Sequence, residues 1–164
     1  MTNPTNTFLH TLSEIAQHND HRYGVVFHGD VDWQNTAIST FLQDMNVKSI
    51  FQIGGVPFDD VTHAPVKKGQ QLLGRECQIL VCDFRDQFDA NGFSAALGAL
   101  VGGGLLLVLP LNVNEAEECW SSGFGQRWLK GYFDKLISVS QTNEAADVTQ
   151  ASNSFPQKQN SEIE

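Results

Sequence analysis

Ile79-Leu80-Val81-Cys82-Asp83, then Phe88-Asp89-Ala90-Asn91-Gly92-Phe93, then Leu105-Leu106-Leu107-Val108-Leu109-Pro110, is the stretch whose reading decides the fold. The first run is apolar up to its terminal aspartate, as expected of a strand in a parallel sheet covered on both faces. Asp89 is placed to cap the first turn of a helix, and Phe88 to staple onto Phe93 across that turn. The helix carries Phe93, Ala96, Leu97 and Leu100 on one side and is expected to stop at Gly102-Gly103-Gly104. Leu105 to Leu109 is strand-length, and Pro110, which lacks an N–H to donate, ends it. Strand, helix and strand in this order make a βαβ crossover.

The same alternation extends upstream. Phe8, Leu9, Leu12, Ile15 and Ala16 have helical spacing, so residues 7–19 are expected to form an amphipathic helix after a frayed start at 1–6. Tyr23 to His28 reads as a strand that stops at Gly29-Asp30, and Asp32 is the expected N-cap of a helix carrying Trp33, Ala37, Ile38, Phe41 and Leu42. Lys48 to Ile53 is a second strand, broken by Gly54-Gly55 and Pro57. Residues 56–68 read as an irregular loop, and Gln70 to Leu73 as one helical turn. Downstream, an acidic loop (Glu115, Glu117, Glu118) precedes an amphipathic helix expected over Gln126 to Ile137.

These elements predict an α/β fold: an open, mostly parallel sheet of four to five strands with helices on both faces, a Rossmann-like three-layer arrangement. At 164 residues the chain suits one domain, expected over 1–150, with 139–150 a weak edge element. Residues 151–164 are polar and are expected to be a disordered tail or linker. Hydrophobic residues make up 41% of the chain, enough for a core, yet no apolar run approaches the ~18 residues of a membrane span. The N-terminus lacks the basic and apolar regions of a signal peptide, and Cys77, Cys82 and Cys119 form neither a disulfide framework nor a metal-ligand pattern. A cytoplasmic protein is expected.

Charge narrows the function further. Ten Lys and Arg against nineteen Asp and Glu leave a formal net charge of −9. Nucleic-acid binding rests on clustered cations that displace counterions from phosphates, and Lys67-Lys68 is the only adjacent basic pair. An isolated domain of this composition is expected to bind RNA poorly.

In an open parallel sheet, ligands favour the crevice beyond the carboxyl ends of the strands. That edge would carry His28-Gly29-Asp30, Gly54-Gly55, Asp83 with Arg85, and Pro110-Leu111-Asn112. No nucleotide-binding fingerprint is present: G-x-x-x-x-G-K-[ST] is absent, and the first strand is followed by one glycine between His28 and Asp30. Carboxylates Asp30, Asp32 and Asp83 sit where Mg²⁺ is sometimes held, although capping and loop solvation account for Asp30 and Asp32 equally well. G-x-S-x-G is missing. Cys82, inside an apolar strand, reads as a small buried hydrophobe, and the five histidines form no paired ligand motif. Trp120, Trp128, Tyr132 and Phe133 suit core packing or an interdomain contact. The residues alone describe an α/β domain with no identifiable catalytic engine.

A longer pattern adds to this. Leu72-Leu73-Gly74-Arg75-Glu76, then Val81-Cys82-Asp83-Phe84-Arg85, then Phe88-Asp89-Ala90 with Phe93, Ala96, Gly98-Ala99-Leu100 and Gly103, resembles the N-terminal domain of bacterial tRNA(Met) cytidine acetyltransferases. Spacing is kept without gaps from Leu72 to Pro110, and a looser likeness spans 1–150, with a shorter loop from Leu111 to Gln126. The resemblance implies the N-terminal part of a longer polypeptide. That polypeptide would also hold a helicase-like ATPase module, an acetyltransferase module and a tRNA-binding tail. Together they would make N4-acetylcytidine at the wobble position of tRNA(Met) from acetyl-CoA and ATP or GTP with Mg²⁺.

None of the family's nucleotide or acetyl-CoA motifs matches a position in this chain, so no catalytic, cofactor-binding or metal-binding residue carries over. The implied partners are the remaining domains of the same polypeptide and, through them, tRNA(Met). Arg75, Glu76, Asp83 and Arg85, within the matched stretch, are the candidate interdomain or partner contacts; the alternatives are that Arg75 and Glu76 pair with each other and that Asp83 and Arg85 brace the loop after the strand. Two other readings stand beside this one: a free-standing α/β protein binding a small ligand at the strand-end crevice, and a protein-interaction module.

Overall fold

Every strand pairing in the sheet is parallel, which forces each connection to cross back over a face. The computed structural model describes residues 4–45, 49–110 and 136–141. Its elements are α1 (Pro4–Asn19), β1 (Tyr23–His28), α2 (Val31–Asp44), β2 (Ile50–Ile53), β3 (Thr62–Ala64), a 3₁₀ helix (Val66–Leu72), β4 (Cys77–Asp83), α3 (Ala90–Leu97), β5 (Leu100–Leu109) and β6 (Ile137–Ser140). The six strands lie in the order β3-β2-β4-β5-β1-β6.

The two-residue period of the strands builds two cores. Val25, Phe27, Ile79, Val81, Leu105 and Leu107 face α1 and α2, and meet Leu9, Leu12, Ile38 and Phe41. Val26, Leu80, Cys82, Leu106 and Val108 face the other way, toward α3 and the 3₁₀ helix, and meet Leu72, Phe93 and Ala96. The crossover from β1 to β2 through α2 and the one from β4 to β5 through α3 run in opposite directions along the sheet. They lie on opposite faces, as a single crossover hand requires. This is the three-layer α/β arrangement expected, with an all-parallel sheet and six strands in place of four to five.

The additional strand comes from the segment expected to be irregular. Thr62–Ala64 pairs with Phe51–Ile53 as a short edge strand, and the 3₁₀ helix follows at once. Three residues carry too little alternation to be recognised as a strand before their partner is known.

Four boundaries also differ from expectation. Helix α1 begins at Pro4, a residue suited to a first helical turn, so residues 4–6 are helical rather than frayed. Asp30, not Asp32, caps α2, accepting from the Trp33 N–H at 2.8 Å, and Asp32 lies in the first turn. Ile137 opens strand β6 rather than closing a helix, with Val139 fully buried. The rest of that expected helix, the acidic loop, the aromatic residues 120–133 and the tail 151–164 fall outside the described residues.

The fourth difference concerns the glycine triplet. Helix α3 ends at Leu97 with Gly98 as its cap, and Gly102-Gly103-Gly104 lies inside β5. Cys77 pairs with Leu100 and Ile79 with Leu105, so residues 101–104 of β5 stand opposite Gln78 alone. The resulting bulge leans on the turn between α1 and β1: Gly103, at φ +85°, donates its N–H to the His21 carbonyl at 3.0 Å. A Cβ on Gly102 would lie 2.8 Å from Asp20 Oδ1. The triplet exists for close backbone approach within a strand, not for helix termination.

Candidate functional site at the carboxyl edge of the sheet

Strand β4 ends on Asp83, a residue only 5% exposed although it carries a carboxylate. A charge so placed must be paired. Arg85, two residues on, supplies the partner with a two-pronged grip: Nε donates to Oδ1 at 3.0 Å and NH2 to Oδ2 at 2.7 Å. Its backbone N–H also donates to Oδ1 at 3.2 Å, closing a tight turn around the carboxylate. The remaining guanidinium nitrogen donates to Gln34 Oε1 at 3.3 Å, and Gln34 Nε2 donates to the Phe27 carbonyl at 2.7 Å. One polar chain thus ties the end of β4 to α2 and β1.

A second buried amide shapes the loop beyond β2. Gln52, with no exposed surface, donates from Nε2 to the Gly54 carbonyl at 2.9 Å and the Val56 carbonyl at 3.0 Å. Its Oε1 accepts from the Phe58 N–H at 3.0 Å. Gly54 and Gly55 have φ of +76° and +63°, and a Cβ on either would collide with Asp83. Their carbonyls both lie near His63 Nε2, at 3.2 and 3.0 Å, so the ring carries its proton there to serve as donor. The loop is pressed against the ion pair from one side and latched by His63 from the other.

Clefts of about 480 and 520 Å³ flank this ridge and share Gly55, Asp83 and Asp86. The first is bounded by Val31, Asn35, Val56 and Phe58, and the second by His63, Lys67 and Lys68. The Asp83 and Asp86 carboxylates face both clefts, while Lys67 and Lys68 bring positive charge to the second alone.

The four residues proposed from sequence as contacts do not converge. Asp83 and Arg85 lie at the carboxyl end of β4 and grip each other, whereas Arg75 and Glu76 precede its amino end, about 20 Å away along seven residues. Arg75 stacks over Phe51, its guanidinium carbon 5.0 Å from the ring centroid, and Glu76 is exposed. Nor do Asp30, Asp32 and Asp83 form a carboxylate triad; among the described residues no three His, Cys, Asp or Glu side chains cluster as metal ligands. Burial pushes the Cys82 thiol well above its ordinary pKa, in keeping with a packed hydrophobe. His28 ends β1, and its carbonyl accepts from the Gln141 N–H at 2.9 Å.

Sequence reasoning passed over Gln34, Gln52 and gave His63 no role. The one available signal was Gln52 itself, a polar residue amid Ile50, Phe51 and Ile53 in a strand otherwise apolar throughout.

This geometry accompanies a likeness over nearly the whole chain. The profile of the family described as tRNA(Met) cytidine acetyltransferase TmcA, N-terminal, matches residues 1–146. The chain belongs to this family. The protein named tRNA(Met) cytidine acetyltransferase TmcA from Vibrio cholerae serotype O1 is 39% identical over 122 residues, which cover 73% of this chain and 17% of that protein. The TmcA of Nitrosococcus halophilus is 29% identical over 99 residues, covering 60% of this chain and 13% of its own length. The matched region therefore spans 13–17% of the length of these curated TmcA relatives, and the family profile places the likeness in the N-terminal domain. Among the described residues no helix is long and apolar enough to cross a membrane.

Proposed function

We propose that this chain is a non-catalytic accessory domain of a longer tRNA(Met) cytidine acetyltransferase, folded over residues 1–150 with 151–164 leading toward the remaining modules. Acetyl-CoA, ATP or GTP and their Mg²⁺ would be held by those modules, and tRNA(Met) would be reached through them in the cytoplasm. The observation that carries this reading is the carboxyl edge of the sheet. Where an α/β enzyme of this architecture gathers its ligand, Asp83, Arg85 and Gln34 are bonded to one another, and Gln52 and His63 to the loop backbone. Such a network makes a stiff body. An RNA enzyme with separate motor and transferase modules needs one to orient them, since misplacement of the reacting groups lowers the rate steeply.

The test has two arms. Purified 1–164 is expected to show no ATP turnover and no acetyl transfer above a contaminant control. The full-length protein lacking residues 1–146 is expected to lose most tRNA(Met) acetylation or most of its thermal stability. Turnover by 1–164, or a deletion without consequence, would refute the accessory role.

A further inference from the structure

A groove runs along the outer side of α2, and nothing in the accessory-domain reading explains its chemistry. Val31, Asn35 and Ser39 recur every four residues and so form one stripe of the helix. Opposite them stands the loop Val56-Pro57-Phe58-Asp59-Asp60. The cleft of about 480 Å³ between these walls continues into one of about 350 Å³, the two sharing Ser39, Phe58 and Asp59. Val56 is 84% exposed and Val31 is 55% exposed, and these are two of the three large apolar side chains so displayed among the described residues. Apolar side chains held out on opposite lips of one groove mark a contact surface more strongly than a single exposed residue does.

Acids line the same groove. Among the described residues the ion pairs are Arg85–Asp83 and His10–Asp44, so Asp59, Asp60 and Asp86 enter none. Unpaired carboxylates beside apolar lips, over a floor that includes Asn35 and Ser39, complement one kind of occupant: a basic segment that inserts apolar side chains between the two valines. A second copy of this chain does not fit, because each copy carries a formal −9. RNA is repelled for the same reason. The relatives, in contrast, have more than four-fifths of their length outside the matched region, and any module that handles tRNA must present positive charge.

We propose that the groove between α2 and the loop 55–60 docks a basic, apolar-tipped segment from another module of the same polypeptide. The proposal rests on the accessory-domain reading and specifies the surface through which that role is exercised. Docking there would cover Val31 and Val56 and neutralise part of the acidic rim, holding a cationic RNA-handling module against the stiff edge of the sheet.

The experiment is a binding titration of 1–164 against the separately expressed remainder of the full-length polypeptide. Val56→Asp is expected to weaken binding roughly tenfold through the lost apolar contact. Asp59→Lys with Asp86→Lys is expected to weaken it several-fold and to flatten its salt dependence. All three positions are exposed, so unchanged melting temperatures are the control for folding. Binding that these changes leave untouched would overturn the groove while leaving the accessory role intact. Absence of binding would also overturn it, and the deletion experiment above then decides the accessory role separately. Capture of tRNA by wild-type 1–164, abolished by Val56→Asp, would show an RNA site in its place and overturn the proposal.

Discussion

Arg85 illustrates how much one side chain can hold in place. It neutralises Asp83, which is 5% exposed, and links through Gln34 to the backbone of β1. Removing one partner of a buried pair strands the other charge, and that costs more than the pair contributes. Arg85→Ala is therefore expected to destabilise the domain by about 3 kcal/mol. Asp83→Ala with Arg85→Ala should be less damaging than the sum of the single changes. A double-mutant cycle by urea denaturation measures the difference, and additive effects would show that the contact is not energetically coupled.

At the scale of elements, the start of α3 is fastened twice. Asp89 Oδ2 accepts the Gly92 N–H at 2.7 Å, and Phe88 reaches Phe93 with ring centroids 6.1 Å apart. Phe84, at the end of β4, meets both rings edge-on at 4.9 and 5.2 Å, so three phenylalanines lock the strand end to the helix start. Asp89→Ala is expected to cost about 1 kcal/mol through the lost cap. Phe93→Ala, which empties a fully buried site, should cost about 3–5 kcal/mol. Equal denaturation midpoints for the two variants would contradict this ranking.

Strand β4 makes a pH prediction. Burial pushes the Cys77 thiol from 9.0 up to about 12, and the Cys82 thiol well up in the same direction. In alkali the unfolded chain loses these protons first, so the unfolded state binds fewer protons and stability falls as pH rises. The loss begins near pH 9 and continues toward 12. Melting temperatures of the Cys77→Ala, Cys82→Ala variant are expected to fall less steeply over that range than those of the parent. Below pH 9, peptide mapping after brief alkylation should find both cysteines unmodified until the chain is denatured.

For the whole molecule, the decisive quantity is where the few cations lie. Lys67 and Lys68 border one cleft at the carboxyl edge, Arg75 stacks on Phe51 near the opposite edge, and Arg85 is bound to Asp83. Among the described residues these do not gather into a basic face, and the net charge stays at −9. Base stacking at roughly 1–3 kcal/mol per contact does not reach the ~8 kcal/mol of micromolar affinity without phosphate contacts. The isolated domain is expected to bind tRNA more weakly than about 100 μM at physiological salt. A titration at two salt concentrations checks this, and low-micromolar binding that collapses with added salt would reveal a basic surface elsewhere in the chain.

The layered α/β fold was legible because its causes are local and periodic. Ile79 to Asp83 is apolar at every position but the last, Asp89 and Phe88 mark a helix start, and Phe8 to Ala16 repeats at helical spacing. Family membership was legible for a related reason, since the motifs that carry the resemblance stand close together between Leu72 and Pro110, inside the matched residues 1–146. What escaped the sequence depends on partners distant along the chain. Thr62–Ala64 becomes a strand because β2 lies beside it, and Gly102-Gly103-Gly104 stays in β5 because the turn at Asp20 and His21 presses against it. The carboxyl-edge network is equally non-local: Arg85 finds Gln34 across 51 residues, and the groove has walls drawn from α2 and the loop after β2. Periodicity reports which face of an element is buried; which other segment buries it is settled by three-dimensional packing.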